Sequence, residues 1–308
     1  MIRLGTRGSA LALAQARWVA ERLPGEVEIV PITTSGDEPS QRGQTPIGGL
    51  SVELNDKSRF VKEIEEALLR GDVDVAVHSA KDVPTELPDG LVIQAVPPRA
   101  DPRDAICGTN GLDDLPKGAV VGTSSLRRRA LLLAIRPDLD VRDVRGNVDT
   151  RLRRLADGDF DALVLAQAGL DRLGRGEEGR PLDRSEFVPA AGQGCIALET
   201  RTADPVSEVS ALQDMETDTC LAEERAVVRL LGATCNTPIG VHASGTEEDG
   251  LTLTAFVGLP DGSRWIRDEL GMALPRASGL LGFDVAERLR AAGAEELLAE
   301  AERLVAAG

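Results

Sequence analysis

His78, Ser79, Lys81 and Asp82 stand together in "DVAVHSAKDVPTELPDG", residues 74–90. Val73, Val75 and Val77 alternate just before them, the pattern of a strand entering a core. The polar group therefore falls at a strand end. Lys81–Asp82 admits three readings. A surface ion pair is one. A Schiff-base lysine is another, and needs an apolar pocket that lowers its pKa. The third is a catalytic carboxylate, partly buried and kept ionised by a cationic neighbour. Pattern alone does not rank the last two.

A second group is basic. Arg127, Arg128 and Arg129 follow "GTSS", and Arg145 and Arg151 flank "GNVDT". A Gly-Thr-Ser-Ser entry to a helix offers free backbone N–H groups and hydroxyls to an anion, and guanidinium forks favour carboxylate or phosphate. The other reading is a helix start with an exposed basic face. The segment is locally basic in an acidic chain, and a second strand–cap–helix entry, "GTRGS", carries Arg7. Two such entries suit a ligand with several negative groups. Cys235 lies in "GATCNTPIG" with Gly232, Pro238 and Gly240 around it. It reads either as a small buried apolar residue or as a thiol presented on a loop. No base within sequence reach supports a papain-like role.

The elements that position these residues alternate. "IRLG" predicts a strand, "SALALAQARWVAERL" a helix capped by Ser9, "VEIVPI" a strand, "RFVKEIEEALLRG" a helix ending at Gly71, and "VDVAVHS" a strand. This βαβαβ order implies a mainly parallel sheet. Residues 35–58 form a long polar stretch rich in Gly, Ser and Pro, which reads as a lid, a binding loop or a disordered segment. "AVVGTSSLRRRALLLAIRP" repeats the strand–cap–helix theme, and "DLDVRDVRGN" and "DALVLAQAGL" predict further strands. The apolar run "CIALET" is expected to pair back into the first unit. Asp-Gly at 249–250 and 261–262 separates alternating runs, as in an antiparallel meander. "GFDVAERLRAAGAEELLAEAERLV" reads as a closing helix broken near Gly293. The expected fold is α/β: two similar domains facing a cleft, plus a small α+β C-terminal domain. The expected boundaries are residues 1–97 with 195–213, residues 98–194, and residues 214–308.

Composition narrows the partners. The chain has 308 residues, 42% hydrophobic, with a net charge of −16 and 2% aromatics. That balance argues against nucleic acid and against an anionic membrane surface. The only lysines are Lys57, Lys62, Lys81 and Lys117. No run reaches the length of a membrane span, and no signal peptide precedes the first strand, so a cytoplasmic protein with reduced cysteines is expected. The cysteine spacing and two histidines fit no metal site.

Taken in order, "GTRGSALALAQ", "FVKEIEEALL", "VDVAVHSAKDVPTELP", "DPRDA", "VGTSSLRRR", "RGNVDTRL", "LAQAGLDRLG", "AAGQGC", "AEERA" and "CNTPIG" resemble hydroxymethylbilane synthase, the porphobilinogen deaminase family. The resemblance spans nearly the whole chain. It implies a transferase of porphyrin (heme) biosynthesis, with two periplasmic-binding-protein-like domains and a third domain. Such an enzyme joins four porphobilinogen molecules head to tail with loss of ammonia, then releases hydroxymethylbilane with water. It further implies that Cys235 holds a dipyrromethane cofactor by a thioether bond and that Asp82 is the catalytic carboxylate. Lys81, Ser79, Thr123, Ser124, Ser125, Arg127, Arg128, Arg145 and Gly146 would contact the cofactor. Arg7, Ser9, Gln15, Arg151, Arg172, Gln193 and Lys57 would contact substrate. A monomer that hands its product to a uroporphyrinogen-III synthase is the expected context.

The chain departs from the family pattern at "GDEPSQRGQTPIGGLSVELNDKSRFVKE", which is longer than the usual connection. Lys57 takes the place of one lid lysine, and Glu53 falls near another. Two rival functions use the same residues: a non-catalytic anion-binding protein of periplasmic-binding type, and an enzyme acting on a phosphate ligand.

Overall fold

The computed structural model describes residues 1–34, 61–233, 237–246, 249–273 and 280–307. Lys57, Cys235 and the polar stretch 38–58 lie outside the described residues.

Strand β1 (Ile2–Arg7) opens the first sheet and feeds helix α1 (Ala10–Ala20). Ser9 caps α1 as its sequence suggests, its Oγ accepting from the Ala12 N–H at 3.3 Å. Strand β2 (Val27–Ile32) lies parallel to β1. It carries Pro31 at the sheet edge, where a missing N–H is tolerated. Helix α2 (Lys62–Arg70) ends at Gly71, whose φ of 76° gives the left-handed cap, and strand β3 (Val75–Ser79) follows, again parallel to β1. Strand β4 (Leu91–Ala95) completes the local elements.

The chain then builds a second sheet. Strands β5 (Asp104–Cys107) and β6 (Val120–Gly122) are followed by helix α3 (Leu126–Ile135), strand β7 (Asp140–Arg142) and helix α4 (Val148–Ala156). Strand β8 (Ala162–Ala166), helix α5 (Gln167–Arg172) and strand β9 (Gly179–Pro181) close it. Strand β10 (Ile196–Arg201), which contains the run "IALET", returns to the first sheet and lies antiparallel between β3 and β4. The two sheets have one plan. The orders β2-β1-β3-β10-β4 and β7-β6-β8-β5-β9 each place three parallel strands beside an antiparallel pair of additions.

Two sequence expectations need correction. "DALVLAQAGL" is not strand throughout: it divides into β8 and α5. Ala and Leu serve both periodicities, and only the sheet's end decides where the extended run stops. "DLDVRDVRGN" yields only the three residues of β7. Asn147 then caps α4 through its side chain, which accepts from Thr150 N–H at 3.0 Å.

Helix α6 (Met215–Leu230) leads into the meander β11 (Ile239–Thr246), β12 (Gly250–Gly258) and β13 (Trp265–Met272). Helices α7 (Leu281–Ala291) and α8 (Ala294–Ala307) break at Gly293 as the sequence indicates. Val227, Leu253, Val257, Leu281 and Leu289 form the core of this unit. Separate apolar clusters fill both faces of the first two sheets. With so few aromatics the cores are built from Leu, Val, Ile and Ala. Among the described residues no helix is long and apolar enough to cross a membrane.

Candidate active site

The end of β3 passes into a single 3-10 turn, Ala80–Asp82, which carries Lys81 and Asp82. Ala80 is buried and donates its N–H to the carbonyl of Cys195 at 3.0 Å, tying the turn to the segment that re-enters the first sheet. Gly192 packs against it, and Lys81 Nζ reaches Gln193 Oε1 at 3.5 Å. Gln193 is fully buried and donates its amide to the carbonyl of Pro102 at 2.8 Å. The segment that crosses back between the sheets thus forms the backing of the Lys81–Asp82 turn.

The turn opens on a cleft of ≈ 900 Å³, part of it open to solvent. Both sheets contribute. Arg7, Ser9 and Gln15 come from β1 and α1; Ser79, Lys81 and Asp82 come from β3 and its turn. Arg128, Arg151 and Arg172 come from α3, α4 and α5. Five cations and one carboxylate, Asp82, therefore line the cleft among the described residues. Leu11, Ile64, Val148 and Leu165 supply apolar wall between them.

Burial lowers the three arginines of the second sheet's helices. Burial, then the nearby Arg128 charge, push Arg151 down to about 10. Burial lowers Arg172 and Arg128 as well. All three remain protonated near neutral pH, but their positive charge is incompletely matched inside the protein, so a bound anion is favoured. Gln15 points the same way. It is only 3% exposed, and its Nε2 has no hydrogen-bond partner. A buried amide donor on a cleft wall calls for an acceptor from outside.

Thr123, Ser124, Ser125, Arg127, Arg145, Gly146 and Gln193, also named from the sequence, are not among the residues that line the cleft. Arg127 and Arg128 grip Asp104 of β5: Arg127 donates to its two oxygens at 2.7 and 3.1 Å, and Arg128 donates Nε to Oδ1 at 2.8 Å. Burial alone would raise the Asp104 carboxyl; the charges of Arg127 and Arg128 outweigh it and hold it at about 2. Arg127 also donates to the Val188 carbonyl at 2.7 Å and does not line the cleft. The Thr123 hydroxyl accepts from Ser125 N–H at 3.2 Å, Ser124 Oγ donates to the Val144 carbonyl, and Ser125 Oγ caps α3 by accepting from Arg128 N–H. Arg145 lies 3.6 Å from Asp143. Gly146, at φ 106°, offers its carbonyl to Arg151 Nε at 2.8 Å, and Arg172 donates to the Gly194 carbonyl at 2.7 Å.

Sequence reading overlooked the supports. Asp104 occurs in "DPRDA" among several aspartates, and nothing in one sequence separates the buried one. Glu224 of α6 is likewise fully buried. It accepts from Arg99 at 2.6 Å, Gly192 N–H at 2.7 Å and Ala243 N–H at 2.8 Å. Burial would raise Glu224, but Arg99 and His242 hold it at about 2. It links the C-terminal sheet to the segment behind Lys81.

Comparison with known proteins adds an independent observation. Residues 2–208 match the family model "Porphobilinogen deaminase, dipyromethane cofactor binding domain", and residues 218–291 match "Porphobilinogen deaminase, C-terminal domain". The chain is 43% identical to the porphobilinogen deaminase of Brevibacillus brevis over 98% of its own length and 97% of that protein. It is 46% identical to the porphobilinogen deaminase of Thermus thermophilus, over 97% and 99%. Among solved structures, a periplasmic substrate-binding protein of an ABC transporter from Coxiella burnetii aligns with TM-score 0.40 and 14% identity. That alignment covers 69% of this chain and 90% of the other.

Proposed function

Because the chain belongs to the porphobilinogen deaminase family, we propose that it acts as a hydroxymethylbilane synthase. In this reading it condenses four porphobilinogen molecules head to tail with loss of ammonia and releases the linear product with water. One observation supports the assignment of roles above all: among the described residues the cleft sets five cations and the Gln15 amide, whose buried Nε2 lacks a hydrogen-bond partner, around one carboxylate. Porphobilinogen carries two carboxylates, and the growing chain accumulates them.

The donor set fits the family's dipyrromethane cofactor, which is itself a polycarboxylate. Arg128, Lys81 and Ser79 line the cleft where they can hold it, and Arg127 supports Arg128 through the shared Asp104. Cys235 would carry it by a thioether bond. When bound, the group supplies the pyrrole carbon that accepts the first substrate unit. Arg7, Ser9, Gln15, Arg151 and Arg172 hold the acetate and propionate groups of substrate, orienting its ring. Asp82, ionised beside these cations, stabilises the electron-poor cation that porphobilinogen becomes when its ammonia departs. The same carboxylate takes up the proton released at the attacking pyrrole carbon. The enzyme is read as a cytoplasmic monomer whose product passes to a uroporphyrinogen-III synthase.

Intact mass tests the reading. The purified protein should exceed its sequence mass by two porphobilinogen units less two ammonia, and Cys235→Ser should lack that increment and turn over no substrate. A wild-type mass equal to the sequence mass, without tetrapyrrole formation, would favour an anion-binding protein or a phosphate-ligand enzyme instead.

A further inference from the structure

Below the cleft floor lies a buried cluster that the condensation scheme does not use. His78 lines the cleft from the end of β3, and its Nε2 lies 3.0 Å from Oε2 of Glu199 on β10. Register explains the meeting: His78 pairs with Ala197, and Glu199, two residues on, projects from the same face. Both side chains are buried, Glu199 completely. Helix α2 packs on both β3 and β10, and its Glu65, 7% exposed, adds a second carboxylate. Neither Glu65 Oε1 nor Glu199 Oε1 has a hydrogen-bond partner. Two buried carboxylates with unsatisfied oxygens are strongly disfavoured when both are ionised. Burial, then the Glu199 charge, push Glu65 up to about 7, with His78 opposing.

We propose that Glu65, Glu199 and His78 are positioning residues that retain one proton on the carboxylate pair and so keep β3, with the Ser79–Asp82 turn it carries, seated on β10. A second negative charge here drives α2 away from β10. That disturbs the cleft wall as well, because Val61 and Ile64 at the start of α2 line it. Among the described residues, His78 and Glu199 are the charged groups that act on Glu65, and the other charged side chains of the surrounding elements are engaged with partners of their own. His78 comes from β3 and Glu199 from β10, which also carries Arg201, bonded to the Leu68 and Val73 carbonyls. From β1 come Arg3, paired with Asp74, and Arg7 on the cleft wall. Helix α2 itself carries Glu63 and the Lys62–Glu66 pair. Arg225 of α6 acts on Glu199 while donating to the Val83 and Pro84 carbonyls.

The sign follows from the raised carboxyl. Its stabilising proton is fully present below the unfolded pKa, and the contribution disappears as pH rises through about 7. Unfolding of the holo-protein should therefore lose stability between about pH 5 and about pH 8, whereas Glu65→Gln should be nearly flat there. The kcat/KM of wild type should fall above about pH 7, and Glu65→Gln should move that limb by about one unit or more to the alkaline side. Glu199→Gln removes the like charge and should shift the stability transition to lower pH. His78→Gln keeps an amide donor near the Nε2 position and should retain most turnover. His78→Leu should lose roughly tenfold in kcat with KM little changed. Superimposable stability and rate profiles for wild type, Glu65→Gln and Glu199→Gln would overturn the proposal, as would full turnover in His78→Leu. The kinetic arms rest on the synthase reading. If wild type makes no tetrapyrrole, that reading fails, and the unfolding profiles still decide the cluster.

Discussion

A β-carbon placed on Gly192 would stand 3.0 Å from the backbone nitrogen of Lys81 and 3.0 Å from the carbonyl carbon of Ala80. Gly192 also has φ 71°, so an L side chain there is strained in two ways. The returning segment therefore lies flush on the turn that carries Asp82. Gly192→Ala should cost about 1–3 kcal/mol of stability and lower kcat by on the order of tenfold. Steady-state kinetics beside denaturant unfolding would check both, and an unchanged kcat would mean that this contact does not set the position of Asp82.

Asp82→Asn keeps shape and removes charge. It should fold, carry the cofactor mass increment, and lose on the order of a hundredfold or more in kcat, a barrier rise of roughly 3–4 kcal/mol. Asp82→Glu should retain more activity than Asn. Similar turnover in Asp82→Asn and wild type would remove the carboxylate from the chemistry.

Arg127 and Arg172 should fail in different ways. Arg127→Leu leaves Asp104, fully buried, with Arg128 as its one ion-pair partner, and should destabilise by roughly 3–5 kcal/mol while lowering cofactor loading. Arg172→Leu should change stability less and trap short enzyme-bound intermediates, visible by mass. Equal stability and equal bound masses for the two variants would contradict this division.

Acid should unfold the protein through its buried hubs. Asp104 is held at about 2 by Arg127 and Arg128, and Glu224 at about 2 by Arg99 and His242. A depressed carboxyl contributes stability that is present above its unfolded pKa and lost as pH falls toward the folded value. Unfolding free energy should therefore drop between about pH 4.5 and about pH 2, by roughly 2–3 kcal/mol from Asp104 alone. Asp104→Asn should be less stable at neutral pH and show a shallower acid slope; a slope equal to wild type would exclude Asp104 as a source.

The sequence by itself determined a good deal. Alternation in "VDVAVHS", the caps Ser9 and Ser125, Gly71 and the Asp-Gly turns are local signals, because each depends on side chains a few residues apart. They sufficed to place Lys81 and Asp82 at a strand end and to outline the C-terminal meander. What local periodicity cannot carry is the partner chosen across long separations. Arg127 looks in sequence like one more ligand-facing guanidinium, yet Asp104 draws it behind the cleft wall, since a buried carboxylate without cations is prohibitive. Helix α5 is invisible in "LVLAQAGL", because Ala and Leu fit both periods and only the packed sheet ends the strand. His78 and Glu199 meet because an antiparallel register brings two distant positions side by side. Burial, which lowers Arg151 and raises Glu65, and the arginine charges that outweigh it at Asp104 exist only once the chain has folded, so tertiary structure alone decides which like residues bind a ligand and which hold the frame.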